Sequence, residues 1–323
     1  MGKKKRIAFL LLAVILFVLP LFFEMNGFEE VTPLRSALLN FGHVPLFGVI
    51  SLILLRMVSV LRSGVGRGWK DYLYAFLLSI LLGVVTELIQ MPLERDADIS
   101  DFLLDLAGAA GFLSIAASRD RRLFYRHVSS RWLLLAGLAL LLISTLPLVS
   151  LSVSLLYRSH SFPLICGFES RWADGLVETK DAYLTVLPTP AVWKENATSK
   201  TGHVRVIAGR KYPGIHIEQL NQDWSEYTHF AFDIFNPHNL NIPLRVRVHD
   251  RKHTGHYQDR YSRQFSISPG AHRVCIPLDS ILNAPRNRLM RLDEIAGIVW
   301  FMSEPQMQYS YYIDNIMLTM ACD

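Results

Sequence analysis

The sequence predicts a membrane α-helical bundle of five transmembrane helices followed by an all-β sandwich or jelly-roll domain, and three observations carry that reading. Apolar residues are concentrated in the first half of the 323-residue chain, in runs close to the roughly 20 helical residues that cross about 30 Å of hydrocarbon. Basic residues flank those runs asymmetrically. Beyond Leu156 the hydrophobic period changes from helical to two, which marks half-buried antiparallel strands. The expected domains are residues 1–156 in the membrane, a connector at 157–163, and an extracytoplasmic β-sandwich at 164–323.

The five spans are read at Ile7 to Phe23, Phe41 to Leu61, Tyr72 to Ile89, Ile99 to Ala117 and Trp132 to Leu156. The first follows Lys3, Lys4, Lys5 and Arg6 in the manner of a signal peptide. No small-residue cleavage site comes after it, only Pro20, Phe22, Phe23, Glu24 and Met25, so it is read as an uncleaved helix. Arg62, Arg67 and Lys70 join the second span to the third, and Arg119, Arg121, Arg122, Arg126 and Arg131 join the fourth to the fifth. These loops and the N-terminus are therefore expected in the cytoplasm, with the C-terminal domain outside an inner-type cell membrane. The net charge of +5 follows from this topology. From Tyr157 onward eighteen Lys or Arg face seventeen Asp or Glu, a balance that offers no basic face to nucleic acid.

In the exported half, Phe230, Phe232 and Ile234 alternate with Ala231 and Asp233, and Leu244, Val246 and Val248 alternate with Arg245, Arg247 and His249. Further strands are expected at Val204 to Ala208, Gly214 to Glu218, Arg263 to Ile267, Arg273 to Pro277, Gly297 to Met302 and Tyr309 to Leu318. Turn residues at Asn236-Pro237, Asn241 to Pro243 and Pro269-Gly270 separate them. About eight to ten short strands without a long helix make a two-sheet sandwich. All three cysteines, Cys166, Cys275 and Cys322, fall where disulfides form. Cys275 sits in an apolar strand pattern and reads as a buried thiol. Cys166 and Cys322 bracket the domain and are the expected pair, although three cysteines do not fix connectivity.

Ionisable groups inside a bilayer cost about 2.5 to 3.5 kcal/mol at its centre on insertion scales, so their positions are informative. Here Glu87 and Gln90 end the third span, Arg95 and Asp98 follow in the outer loop, Asp101 and Asp105 enter the fourth span, and His43 begins the second. Asp98, Asp101 and Asp105 fall at i, i+3 and i+7 on one helical face. Asp98 and Asp101 suit a helix N-terminus, where carboxylates meet the positive end of the dipole. Asp105 lies deeper, beside Ala107, Gly108, Ala110 and Gly111, small residues that permit close helix packing. Glu87, or Arg95 reaching in from the loop, is the expected partner of Asp105, and Arg95 is expected to pair with Asp101 or Glu87; a substrate site and a packing clamp both remain open.

The run Glu87-Leu88-Ile89-Gln90 through Arg95, Asp98, Asp101, Asp105 and Gly108, with His43 in the preceding span, resembles the VanZ-like membrane family. The chain departs from that pattern in having Asp105 where the family has Asn, and Asn40-Phe41-Gly42 where an acidic residue often precedes the His. The resemblance implies a cell-envelope protein with a link to glycopeptide tolerance. Asp223-Trp224-Ser225-Glu226-Tyr227, Phe232 to Pro237, Asp259-Arg260-Tyr261, Ser268-Pro269-Gly270 and Tyr312 to Ile316 resemble galactose-binding-like jelly rolls used as carbohydrate-binding modules. That second resemblance implies a calcium site at Glu169 and Asp314, matching positions that often bind calcium in such jelly rolls.

Two functions are expected. In the first, the outer domain binds a cell-wall or surface glycan while the helices anchor it in the bilayer beside a lipid-linked precursor. Tyr257, Tyr261 and Arg260, in a polar loop with His253 and His256, are the ligand candidates, whereas Trp224 and Trp300 lie in strand patterns and read as core. In the second, the chain is a membrane enzyme or flippase-like protein acting on a polar headgroup through His43, Glu87, Gln90, Arg95, Asp101 and Asp105. No Gly-rich phosphate loop, nucleophile motif or metal-ligand spacing is present to name a reaction. His249, His253 and His256 lack matching Cys or carboxylate spacing and read as a solvated basic loop.

Overall fold

A computed structural model describes residues 33–62, 68–90, 99–120, 123, 130–193, 198–218, 220 and 222–322. The chain forms two compact units, Met1–Val149 and Ser150–Asp323.

The first unit contains α1 (Pro33–Leu61), α2 (Trp69–Gln90), α3 (Ile99–Ser118) and most of α4 (Ser130–Ser161). All four are long and apolar enough to cross a membrane. The expected span Ile7 to Phe23 lies outside the described residues, so the count among them is four rather than five. Most of the large apolar side chains of α2 and α4, such as Leu77, Leu81, Leu138, Leu142 and Ile143, are exposed, as a lipid-facing surface requires. The small residues of α3 do bring helices together. A Cβ on Gly108 would lie 2.2 Å from the Val44 carbonyl oxygen, so only glycine allows α1 to pass this close.

α4 runs further than expected. Residues 157–161, read from the sequence as connector, continue the helix to Ser161. The reason lies in the second unit, where Tyr157 packs against the sandwich core and Arg158 Nη1 donates to the Glu218 carbonyl oxygen at 3.0 Å.

The second unit is an antiparallel two-sheet sandwich. Its strands are β1 (Leu164–Cys166), β2 (Val177–Lys180), β3 (Ala182–Pro188), β4 (Lys200–Val206), β5 (Gly214–Glu218), β6 (His229–Asn236), β7 (Ile242–Asp250), β8 (Tyr261–Ile267), β9 (Gly270–Pro277), β10 (Ile295–Phe301) and β11 (Ser310–Thr319). One sheet has the order β3-β4-β11-β6-β9, with β1 also paired to β11; the other has the order β2-β5-β10-β7-β8. Two short helices, α5 (Arg171–Asp174) and α6 (Leu278–Leu282), complete it. Period-two alternation explains the core: Leu244, Val246 and Val248 of β7, and Ile298 and Trp300 of β10, turn inward. Rings join the sheets, with Phe232 of β6 edge-on to Trp300 of β10 at 5.7 Å and Trp224 stacked on Phe230 at 5.5 Å. Trp224 and Trp300 are thus core residues, as the sequence indicates.

The disulfide corrects the expected pairing. Cys275 bonds Cys322, with Cα atoms 6.2 Å apart, and Cys166 is free and buried. Cys275 alternates with the inward Val274 and Ile276 of β9 and so takes the outer face of its sheet. The C-terminal end of β11 reaches it because β6 lies between the two, pairing Thr319 with His229 and His229 with Pro277. Cys166, opposite Ile316, points into the core, where burial pushes its thiol up to about 12. Closing a loop of 47 residues stabilises the domain by about 4 kcal/mol in the chain-entropy account.

Candidate functional site

The outward positions of the β2-β5-β10-β7-β8 sheet carry the polar surface that alternation demands. Register aligns them in rows. One row runs Glu178, His216, Val299, Arg247, Ser262; the next runs Lys180, Gly214, Phe301, Arg245, Gln264. The middle of these rows, from His216 and Gly214 across Val299 and Phe301 to Arg247 and Arg245, floors an open cleft of about 520 Å³, which is also lined by Tyr257 and Arg260 of the β7–β8 connection and by Tyr212, which precedes β5. Gly214, on the cleft floor, contributes no side chain. Gly297, further along β10, is overlain by the His249 ring, whose Cε1 would sit 2.6 Å from any Cβ there.

Three guanidinium groups dominate the cleft. Arg245 donates from Nη1 to the Tyr257 hydroxyl at 3.2 Å and from Nη2 to Gln264 Oε1 at 2.9 Å. Arg260 lies over the Tyr257 ring at 5.2 Å. Among the described residues none of Arg245, Arg247 and Arg260 has a carboxylate within ion-pair distance, and the Nε atom of each is buried without a hydrogen-bond acceptor. Burial, then the neighbouring Arg260, lowers the pKa of Arg247; burial, with Arg245 nearby, also lowers that of Arg260. His249 is pushed down to about 4, first by burial and then by Arg247, so it is neutral near pH 7. His216 donates to Glu178 at 3.1 Å.

Exposure sorts the aromatic residues. Tyr257 and Tyr212 are 58% and 47% exposed, enough to offer a ring face to a ligand. Tyr261 is corrected: it is 5% exposed, opposite Val248 at the start of β8, with its side chain in the core. Of the three ligand candidates read from the sequence, Tyr257 and Arg260 line the cleft and Tyr261 does not. The sequence reading missed Arg245, Arg247, His216, Lys180 and Tyr212. Their signal was partly present, since Leu244 to His249 shows two arginines and a histidine on one strand face.

A fourth arginine, Arg288, sits near the same loop in a different setting. Its Nη atoms donate to both oxygens of the fully buried Asp250 at 2.5 and 2.7 Å, and its Nε donates to Asp259 at 2.6 Å. The Thr254 backbone N–H adds to Asp259 at 2.8 Å, while His253 Nδ1 donates to the Asp259 carbonyl at 2.8 Å. The hydrogen bonds from Arg288 bring Asp259 down to about 2. Burial opposes ionisation of Asp250, but Arg288 and the Arg291 N–H outweigh it and hold its carboxyl below the usual range. This network ties the β7–β8 loop to the segment before β10.

The expected calcium residues come to one seam. β11 pairs with β4 up to Ile313 and with β1 at Ile316 and Met317, and it shifts register after Asp314, where Asn315 has a φ of 48°. Asp314 accepts from the Thr198 hydroxyl and, at 2.8 Å, from the Asn315 N–H. Glu169 accepts from the Ser199 hydroxyl at 2.7 Å and from the backbone N–H groups of Ser199 and Lys200 at 2.5 and 3.0 Å. Among the described residues no three acidic, His or Cys side chains gather to hold a metal. Calcium takes six to eight oxygens, and Glu169 is here turned to N–H and O–H donors.

In the helical unit, His43 Nδ1 donates to Asp105 Oδ1 at 2.8 Å, and its Nε2 lies 3.9 Å from Asp101. The deep carboxylate of α3 is therefore engaged by His43 from α1. Arg95 and Asp98 lie outside the described residues, as do the side chains of Glu87 and Gln90.

No protein-family model and no curated protein matches the chain. Solved structures similar to it include an exo-beta-agarase at 15% identity and a TM-score of 0.40, covering 50% of this chain and 26% of that one. The family 11 carbohydrate-binding module from Clostridium thermocellum, in complex with a mixed-linked tetrasaccharide, is similar at 17% identity and a TM-score of 0.35, covering 46% of this chain and 89% of the module. A family 30 module of a Clostridium thermocellum cellulosomal cellulase is similar at 14% and 0.35, covering 46% and 88%. The chain thus spans about a quarter of the agarase's length.

Proposed function

We propose that this chain is a membrane-anchored glycan-binding protein whose β-sandwich, carried outside the cell membrane, holds a polysaccharide in the cleft over β5, β10 and β7. The observation that carries the reading is the cleft itself. It is open and crosses several strands, it is edged by the exposed rings of Tyr212 and Tyr257, and its lining carries the guanidinium groups of Arg245, Arg247 and Arg260, none of which has a carboxylate within ion-pair distance among the described residues. Sugars present apolar C–H faces and hydroxyl edges, so ring platforms above a donor-rich floor match both. Four apolar helices supply the anchor. The outward orientation rests on the bias of Lys and Arg toward the loops at 62–70 and 119–131. The resemblance of α1 to α3 to VanZ-like proteins, with its link to glycopeptide tolerance, rests on sequence pattern alone.

The test is a binding screen of the full-length protein in detergent against cell-wall, capsular and plant or algal polysaccharides. Removing a ring platform at the centre of a contact costs about 1 to 2 kcal/mol. Tyr257→Ala and Tyr212→Ala should therefore each weaken the best binder by about ten-fold, with the melting midpoint unchanged. Binding that survives both substitutions at full strength would place the ligand elsewhere and defeat the proposal.

A further inference from the structure

We infer that the glycan is acidic, and that its carboxylate or sulfate groups are bound by Arg245, Arg247 and Arg260. The inference rests on the cleft being the glycan site and specifies which class of polysaccharide enters it. Its basis is a contrast in how the domain treats its arginines. Arg210, Arg273, Arg288 and Arg291 each lie within 3.5 Å of an aspartate. The three arginines that line the cleft have no such partner among the described residues, although they are less exposed to water than a free surface arginine.

Charge counting points the same way. Lys180, Arg245, Arg247 and Arg260 line the cleft against Glu218, four fixed cations to one carboxylate, because His249 is neutral and the other nearby carboxylate, Glu178, faces His216. The rest of the exported half does not share this excess, since its basic and acidic residues balance overall. The cleft is thus a local positive site and not one part of a basic surface.

Such a site is costly when empty. Arg247 is partly desolvated and repelled by Arg260, which in turn is repelled by Arg245. A buried donor without an acceptor loses its hydration and gains nothing in return. A carboxylate or sulfate between these groups would accept from their N–H forks in the paired geometry that guanidinium favours, and would cancel the repulsion. A neutral sugar hydroxyl can accept hydrogen bonds but carries no charge to cancel the repulsion. The exposed rings of Tyr212 and Tyr257 give the rest of the ligand a sugar platform, which a lone inorganic anion would not use.

The experiment is calorimetry on the full-length protein in a zwitterionic detergent with three probes of equal length: an oligogalacturonate, a sulfated carrageenan oligosaccharide and a neutral cello-oligosaccharide. The inference predicts that at least one acidic probe binds ten-fold or more tightly than the neutral one, and that its affinity falls as salt rises from about 50 to 300 mM, since screening shortens the reach of the charges. Which acidic probe binds identifies the group as carboxylate or sulfate. Arg247→Gln should weaken that binding by about ten-fold or more, the usual worth of a charge-assisted hydrogen bond. Lys252→Gln, an exposed cation outside the cleft, should leave it within two-fold. Tighter binding of the neutral probe would overturn the acidic inference while leaving the glycan cleft standing. Equal losses in Arg247→Gln and Lys252→Gln would overturn it as diffuse attraction. Binding of none of the three, with no hit in the wider screen, would remove both readings.

Discussion

The β7–β8 loop region holds two sets of arginines in opposite conditions. Arg288 is locked by three hydrogen bonds to Asp250 and Asp259, carboxylates that are themselves held ionised. A few residues away, Arg245, Arg247 and Arg260 crowd one another with no carboxylate within ion-pair distance among the described residues, Glu218 being the one acidic side chain in the same lining. The difference separates two uses of the same side chain. Where both charges are supplied by the chain, the pair fixes geometry; where one charge is missing, the chain has stored a demand that a ligand can meet.

The largest effect expected from that comparison is on stability at the locked set. Arg288→Ala would leave the Asp250 carboxylate, which is fully buried, without its counter-ion. Breaking a buried pair by removing one partner costs about 3 to 5 kcal/mol. Thermal or denaturant unfolding followed by tryptophan fluorescence should report a loss of that order, and a loss below about 1 kcal/mol would show that the network is a surface ornament.

The pH dependence sharpens the same point. Asp250 and Asp259 have pKa values below those of unfolded aspartates, Asp259 at about 2. Their contribution is complete above the ordinary aspartate pKa and is lost as pH falls through the folded values, in the window from about 4 down to 2. His249 acts over a higher window. Its folded pKa of about 4 lies below the ordinary value of 6.5, so the unfolded chain binds the extra proton between those limits and stability declines from pH 6.5 toward 4. His249→Gln should flatten the upper limb and leave the lower one. An upper limb unchanged by that substitution would assign it to another group.

A smaller effect is expected at the seam where Glu169 meets the start of β4. If Glu169 is a clasp for the protein's own donors, Glu169→Ala lowers the midpoint modestly, by about 1 kcal/mol, and a calcium chelator changes nothing. A fall in midpoint on chelation, absent in Glu169→Ala, would instead establish calcium at Glu169 and Asp314.

Much of the fold was legible because its signals are local. The strands from β5 to β7 and from β8 to β11 follow from alternation, and four of the helices from apolar length. β2 escaped notice because Val177–Lys180 is a four-residue edge strand of mostly polar residues, which has no alternation to show. The disulfide was misread for a related reason. Cys275 lies among apolar neighbours in sequence, and only its phase in β9, opposite Ala231 of β6, shows that it faces outward. Tyr257 and Tyr261 show the same limit within a single loop. Four residues apart and alike in composition, they are divided by where β8 begins, which places one ring in solvent and the other in the core. The cleft needed long-range order most of all. Arg245 and Arg247 were visible as one face of a strand, but their meeting with Arg260, Tyr212 and Lys180 depends on the sheet order β2-β5-β10-β7, which no single segment encodes.

The most direct test of the account is the melting midpoint of the full-length protein and of Arg247→Gln, each with and without the tightest-binding acidic oligosaccharide. The account predicts that unliganded Arg247→Gln is at least as stable as the unmodified protein, because Arg247 has no ion-pair partner among the described residues and the substitution removes its repulsion by Arg260. It predicts that ligand at roughly a hundred-fold its Kd stabilises the unmodified protein by about 2.7 kcal/mol, and that the same concentration stabilises Arg247→Gln markedly less. A variant that is destabilised without ligand yet gains the full ligand shift would contradict it, since Arg247 would then be a structural residue and the cleft would not be where the ligand binds.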